Sequence, residues 1–156
     1  MDTDSQKKQA MITSLRLLTA TSKSRTELST RLRDKGYAEE IIQETLTELE
    51  KQGVLNDRSF AENLKSRLTV SKPSGARKIE FEMKRHGVPA KIRQEIMEEL
   101  NPEEEKERAR ELGSARWKRF SSLPGDKRKK RIFDFLVRRG FSFQIAKDLI
   151  EELEGK

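Results

Sequence analysis

Apolar residues recur along this chain at helical spacing, and three stretches repeat one pattern around a glycine. The glycines are Gly36, Gly87 and Gly140, about fifty residues apart. Eight positions before them stand Leu28, Ile79 and Ile132, and four before them Leu32, Met83 and Leu136. Immediately before come Lys35, His86 and Arg139, and immediately after Tyr37, Val88 and Phe141. Five positions on lie Ile41, Ile92 and Ile145, and thirteen on lie Leu49, Leu100 and Leu153. The unit is therefore an apolar helix, a basic-glycine-apolar turn and a second apolar helix. No stretch sustains strand alternation, so the pattern predicts an all-α fold built from a repeated helical unit.

Local signals divide the chain into nine predicted helices in three trios. The first trio covers 8–20, 24–35 and 38–52; the second 57–70, 74–86 and 89–100; the third 102–121, 126–139 and 142–154. The corresponding repeats run over 10–55, 56–101 and 102–156, after a flexible segment 1–9. Ser24-Arg25-Thr26-Glu27 reads as a capping box, in which serine and glutamate satisfy each other's backbone amides. Asn56-Asp57 caps the first helix of the second trio. Pro73 precedes a helix, Pro89 and Pro102 open helices, and Pro124 breaks the chain; early helical amides lack partners, so proline is tolerated there. Asn101 before Pro102 supplies another cap, with Glu104 nearby. Each repeated glycine ends a middle helix in a left-handed conformation that costs it little.

The opening helices of the trios are the least alike. Met11, Ile12, Leu15 and Leu18 form one predicted stripe; Phe60, Ala61, Leu64 and Leu68 form another. The third opener begins with Glu103, Glu104 and Glu105 and ends on Arg116, Lys118 and Arg119, which suits the helix dipole at both ends. Glu104 and Arg108 are spaced as an i,i+4 pair. Trp117 and Phe120, three residues apart on an amphipathic helix, fit packing between trios better than base stacking.

Composition narrows the function. Only 33% of residues are hydrophobic and 39% are charged, which suits small packed units in series. The formal charge of +7 points to polyanions or acidic protein surfaces as partners. The absence of cysteine excludes disulfides, thiolate metal sites and a cysteine nucleophile. No apolar run spans a bilayer and no signal-peptide core opens the chain, so a cytoplasmic protein with no membrane contact is expected. No phosphate-binding glycine loop or hydrolase or zinc motif is present. Nothing in these residues argues for an active site, a cofactor or a metal. His86 reads as a helix-end residue.

The basic residues gather in three places. Lys72, Arg77, Lys78, Lys84 and Arg85 surround the second middle helix. Arg116, Lys118 and Arg119 flank Trp117 and Phe120. Lys127, Arg128, Lys129, Lys130 and Arg131 form a run, followed by Arg138 and Arg139. Between Arg116 and Arg139 ten Lys/Arg face only Asp126 and Asp134. The run lies at a helix N-terminus, where positive charge opposes the dipole. A charge that costs local stability points outward, to an anionic partner. Those basic residues are the candidate binding surface.

One stretch resembles a known family. Gly53-Val54-Leu55-Asn56-Asp57-Arg58-Ser59-Phe60-Ala61-Glu62, then Arg67, Gly75-Ala76-Arg77-Lys78-Ile79 and Lys84-Arg85-His86-Gly87-Val88, is similar to the central signature of RecX proteins. Ser24-Arg25-Thr26-Glu27-Leu28 and Leu32 to Tyr37 resemble the family's first unit. The likeness covers roughly residues 10 to 154 and is strongest from 24 to 88. His86 stands where lysine or glutamine is more usual, and Glu80-Phe81-Glu82 makes its helix less basic than in many relatives. The resemblance implies a protein that is not an enzyme, built of three tandem three-helix repeats in an elongated, curved array. It also implies binding to the RecA–single-stranded-DNA filament, with inhibition of filament extension, ATP hydrolysis, strand exchange and RecA-assisted repressor cleavage. The expected partners are the RecA filament and single-stranded DNA, with double-stranded DNA as a further candidate, and the expected state is a monomer. The alternative is a helical nucleic-acid-binding protein that acts without RecA.

Overall fold

The computed structural model describes residues 2–155. Among them lie nine α-helices, a π-helical turn and no strand. The helices are α1 (Thr3–Ala20), α2 (Arg25–Asp34), α3 (Glu39–Lys51), α4 (Asp57–Ser66), α5 (Ala76–Arg85), α6 (Ala90–Glu99), α7 (Pro102–Arg119), α8 (Gly125–Arg138) and α9 (Phe143–Glu154). The π-helical turn Arg67–Ser71 continues α4 and closes with the Lys72 amide on the Arg67 carbonyl at 2.8 Å. Two compact units result. One holds the chain up to Glu62 together with Met83–Arg93, and the other holds Asn63–Glu82 with the chain from Gln94 onward. Helices α4, α5 and α6 each give one part to either unit.

In the first unit, Leu28, Leu32, Ile42, Leu46, Leu49 and Leu55 form the core, backed by Met11, Leu17, Leu18 and Tyr37. Burying each leucine or isoleucine contributes about 1.5–3 kcal/mol before the entropic cost of ordering it. Helix α1 differs from its predicted form at both its start and its face. It begins at Thr3 rather than residue 8, because Asp2 accepts the Ser5 amide at 2.7 Å and Lys7 pairs with Glu44 of α3. Most of segment 1–9, expected to be flexible, is therefore helical. Its buried face runs through Ala10 and Ser14, with Met11, Leu17 and Leu18 beside them, while Ile12 and Leu15 are 50% and 41% exposed. Ile12 stands two residues from Ala10, about 200° round the helix, and so points away.

In the second unit, Ala109, Ile132, Phe135, Leu136, Phe141, Ala146, Leu149, Ile150 and Leu153 form the core of α7, α8 and α9. Trp117 and Phe120 pack on this core. Their contacts lie within the third trio, not between trios as their spacing predicts, because the end of α7 lies against α8.

The three glycine turns share one geometry. Gly36, Gly87 and Gly140 have φ of 95°, 77° and 89°. In each, the next residue's amide reaches back to the helix: Tyr37 to the Leu32 carbonyl at 3.2 Å, Val88 to Met83 at 3.0 Å and Phe141 to Leu136 at 3.1 Å. This double closure satisfies helix-end carbonyls and turns the apolar residue back onto the helix it leaves. Gly53 ends α3 in the same way, with Val54 bonded to Leu49 at 3.0 Å.

Each unit also contains one junction in which the start of a middle helix meets a glycine turn. In the first unit the Ser24 hydroxyl donates to the His86 carbonyl, and Thr26 Oγ1 donates to the Gly87 carbonyl at 3.2 Å. The Arg25 amide donates to Asp57 of α4 at 2.8 Å. In the second unit the Gly75 amide donates to the Arg139 carbonyl at 2.7 Å, and the Arg77 amide to the Gly140 carbonyl at 3.1 Å. The Ala76 amide there donates to Glu105 of α7. A carboxylate on the first helix of the following trio thus caps the middle helix in both places.

Candidate polyanion-binding surface

The predicted basic residues separate by partner. Arg128 turns inward from the start of α8. Its Nε and Nη2 donate to the Trp117 carbonyl at 2.9 and 2.5 Å, and its guanidinium lies 3.6 Å from the Trp117 ring centroid. It closes the last turn of α7, whose end carbonyls lack helical partners. Arg139 donates from Nη2 to the Pro73 carbonyl at 2.5 Å and sits 5.5 Å from the Phe135 centroid. Burial, and then the neighbouring charge of Arg116, push the Arg139 guanidinium below its usual range. Both arginines therefore hold the fold. Lys129 pairs with Glu154 at 3.1 Å and Lys130 with Asp134 at 2.8 Å.

The run Lys127 to Arg131 thus has several destinations. Lys127 remains exposed, and Arg131 lies 5.4 Å from the Phe120 centroid. Steps of about 100° per residue send neighbours to different faces. Arg116 lies 3.7 Å above the Phe135 ring. Arg116, Arg131 and Arg138, with Phe120, Asp134 and Phe135, line a recess of about 240 Å³. Lys118 and Arg119 are exposed at the end of α7.

The residues around the second middle helix fall in both units. Lys72, Arg77 and Lys78 belong to the second unit, Lys84 and Arg85 to the first. Arg77 lies 5.7 Å from the Phe143 centroid, and Lys78 is half-buried. Lys84 and Arg85 are exposed. His86 bonds Glu27 through Nδ1 at 2.9 Å, meets the Phe60 ring at 5.4 Å and approaches Arg85 at 3.3 Å. Arg108 bonds the Ser74 carbonyl at 3.0 Å through Nε, instead of the predicted Glu104. Burial lowers the pKa of its guanidinium, against the opposing pull of Glu105 and Glu104.

A groove of about 680 Å³ between α8 and α9 was not read from the sequence. Phe133 and Phe143 meet there with ring centroids 5.6 Å apart, and Phe143 is 59% exposed. A local signal exists: Phe141 turns inward after Gly140, and Ser142 caps the Ile145 amide at 3.1 Å, leaving Phe143 at the first helical position. Among the described residues no group of three or more His, Asp or Glu could hold a metal ion, and no helix is long and apolar enough to cross a membrane.

Comparison with known proteins gives concordant matches. The family model of the first three-helix domain of RecX matches residues 10–49, and that of the third three-helix domain matches residues 103–150. The chain is 33% identical to "Regulatory protein RecX" of Chlorobium limicola, covering 96% of this chain and 92% of that one. It is 31% identical to "Regulatory protein RecX" of Chlorobaculum tepidum, covering 98% and 93%. The fold is similar to the crystal structure of RecX from Lactobacillus salivarius, with a TM-score of 0.85, 20% identity and coverage of 98% and 99%. At that identity the likeness bears on fold alone.

Proposed function

Because the chain belongs to the RecX family of regulatory proteins, we propose that it binds the RecA filament on single-stranded DNA and limits its extension. ATP hydrolysis, strand exchange and RecA-assisted repressor cleavage fall with it. Regulation here is by binding, with no catalytic step. The observation that carries this reading is tandem repetition: the family's first and third units match separate stretches of one chain. The trios 10–55, 56–101 and 102–156 act as successive contact modules. Weak contacts on linked modules reinforce one another through effective concentration, and a filament offers repeated sites. The exposed cations Lys118, Arg119, Lys127, Arg131 and Arg138 support contact with a polyanion or an acidic filament surface. Lys72, Arg77, Lys78, Lys84 and Arg85 supply further contacts.

The test is the steady-state ATPase of RecA on single-stranded DNA, titrated with this protein beside a titration of DNA alone. ATPase should fall well below one copy per RecA. Loss that appears only once free DNA is saturated would overturn the reading and favour a nucleic-acid binder that acts without RecA.

A further inference from the structure

We propose that the recess between α7 and α8 is a phosphodiester site, through which the third trio grips a polynucleotide strand by Arg116, Arg131 and Arg138. The inference rests on the filament reading and assigns its nucleic-acid contact to one place. Three guanidinium groups line the recess, and the single carboxylate there, Asp134, pairs with Lys130 at 2.8 Å. Arg116 lies 3.7 Å from the Phe135 centroid and Arg131 5.4 Å from that of Phe120. An aromatic face fixes a guanidinium plane without using its N–H donors, which stay available at the edge. A phosphodiester offers two unesterified oxygens that suit those donors.

The crowding of cations argues in the same direction. Burial first, and then the charge of Arg116, disfavour the charged form of Arg139, so crowding of positive charge is part of the cost here. An anion in the recess relieves it. A strand fits better than a single acidic side chain, because Arg119, three residues from Arg116, and Lys127, four from Arg131, are exposed on the same helix faces and extend the positive surface beyond the recess. Charges repeated along a surface match charges repeated along a backbone.

The experiment is fluorescence anisotropy of a labelled oligothymidylate without RecA, over a series of salt concentrations. It compares the full chain with Arg131→Gln/Arg138→Gln. A control, Arg31→Gln/Lys35→Gln, removes equal charge from exposed positions at the end of α2. Circular dichroism checks that each variant folds. Losing two phosphate contacts should flatten the log–log salt slope by about 1.4 for a single strand. The control should keep the wild-type slope. Equal flattening in both variants would overturn the site and leave a diffuse charge effect. An unchanged slope in Arg131→Gln/Arg138→Gln, with lost inhibition of the RecA ATPase, would overturn it in favour of an acidic protein segment. Absence of salt-dependent DNA binding by the wild type would also overturn it, while the ATPase titration would judge the filament reading separately.

Discussion

The two junctions solve one problem with different chemistry. In each, the carbonyls at the end of a middle helix receive donors from the start of another. Ser24 and Gly75 occupy equivalent places, each four residues after the preceding element ends (α1 at Ala20, the π-helical turn at Ser71) and four residues before Leu28 and Ile79. Serine reaches the His86 carbonyl with its hydroxyl, whereas glycine brings its own amide to the Arg139 carbonyl at 2.7 Å. Thr26 and Arg77 repeat the contrast, hydroxyl against amide, on Gly87 and Gly140. The lesson is that the repeat conserves the demand to satisfy helix-end carbonyls, while the spacing between backbones decides which donor meets it. A junction bridged by side chains tolerates repacking. One closed backbone to backbone does not.

That contrast is broken most severely at Gly75. A Cβ there would overlap the Gly140 carbonyl and the Phe141 amide, and neither can move without opening the junction. Gly75→Ala should cost about 4 kcal/mol or more, combining overpacking with two lost backbone bonds. Urea denaturation followed by the fluorescence of Trp117, the single tryptophan and a residue of this unit, reads the loss. A cost below about 1 kcal/mol would mean that the backbones are not in close contact.

Paired substitutions at the turns give the next largest effect. The three atoms nearest to a Cβ at Gly87 all belong to the Thr26 side chain, so the cost of Gly87→Ala is left-handed strain plus a removable clash, about 2–3 kcal/mol. Thr26→Gly itself costs stability through its lost bond to the Gly87 carbonyl, but measured in that background Gly87→Ala should cost about 1 kcal/mol less. Gly140→Ala meets the Lys78 backbone as well as its Cβ, so Lys78→Gly should recover nothing there. Circular dichroism in urea measures both cycles. Equal rescue at the two turns would erase the distinction between the junctions.

The legible parts of this fold were those governed by residues close in sequence. The glycine turns, the Ser24 capping box and the Asn101 cap are each settled within a few positions, and the structure contains all of them. The closeness of Gly75 to Gly140 depends on segments far apart in the chain, and Gly75, though part of the family signature, sits in no local turn or cap pattern that predicts it. The early start of α1 depends partly on Lys7 meeting Glu44 of another helix. The candidate surface was legible as charge but not as geometry. Lys127 to Arg131 is one run in sequence, yet Trp117, Glu154, Asp134 and Phe120 draw its members apart. The aromatic partners of Arg116 and Arg128 come from a different helix in each case, so only the packing of α7 against α8 reveals them.

Ser24 offers the finest cut, because its hydroxyl has two roles. It accepts the Glu27 amide at 3.2 Å as a helix cap and donates to the His86 carbonyl at the junction. Alanine removes both roles. Glycine also removes both, but at an N-cap position glycine costs only a few tenths of a kcal/mol relative to serine, against about 1 kcal/mol for alanine. If the junction bond matters, each variant also leaves a helix-end carbonyl without its donor, so Ser24→Gly should cost about 1–2 kcal/mol and Ser24→Ala about 2–3 kcal/mol. If Ser24→Gly costs only a few tenths while Ser24→Ala costs about 1 kcal/mol, the hydroxyl serves the cap alone. The His86 carbonyl would then draw nothing from the bond, and the parallel between Ser24 and Gly75 would be one of position without shared energetics. Urea midpoints for the two variants decide between these outcomes.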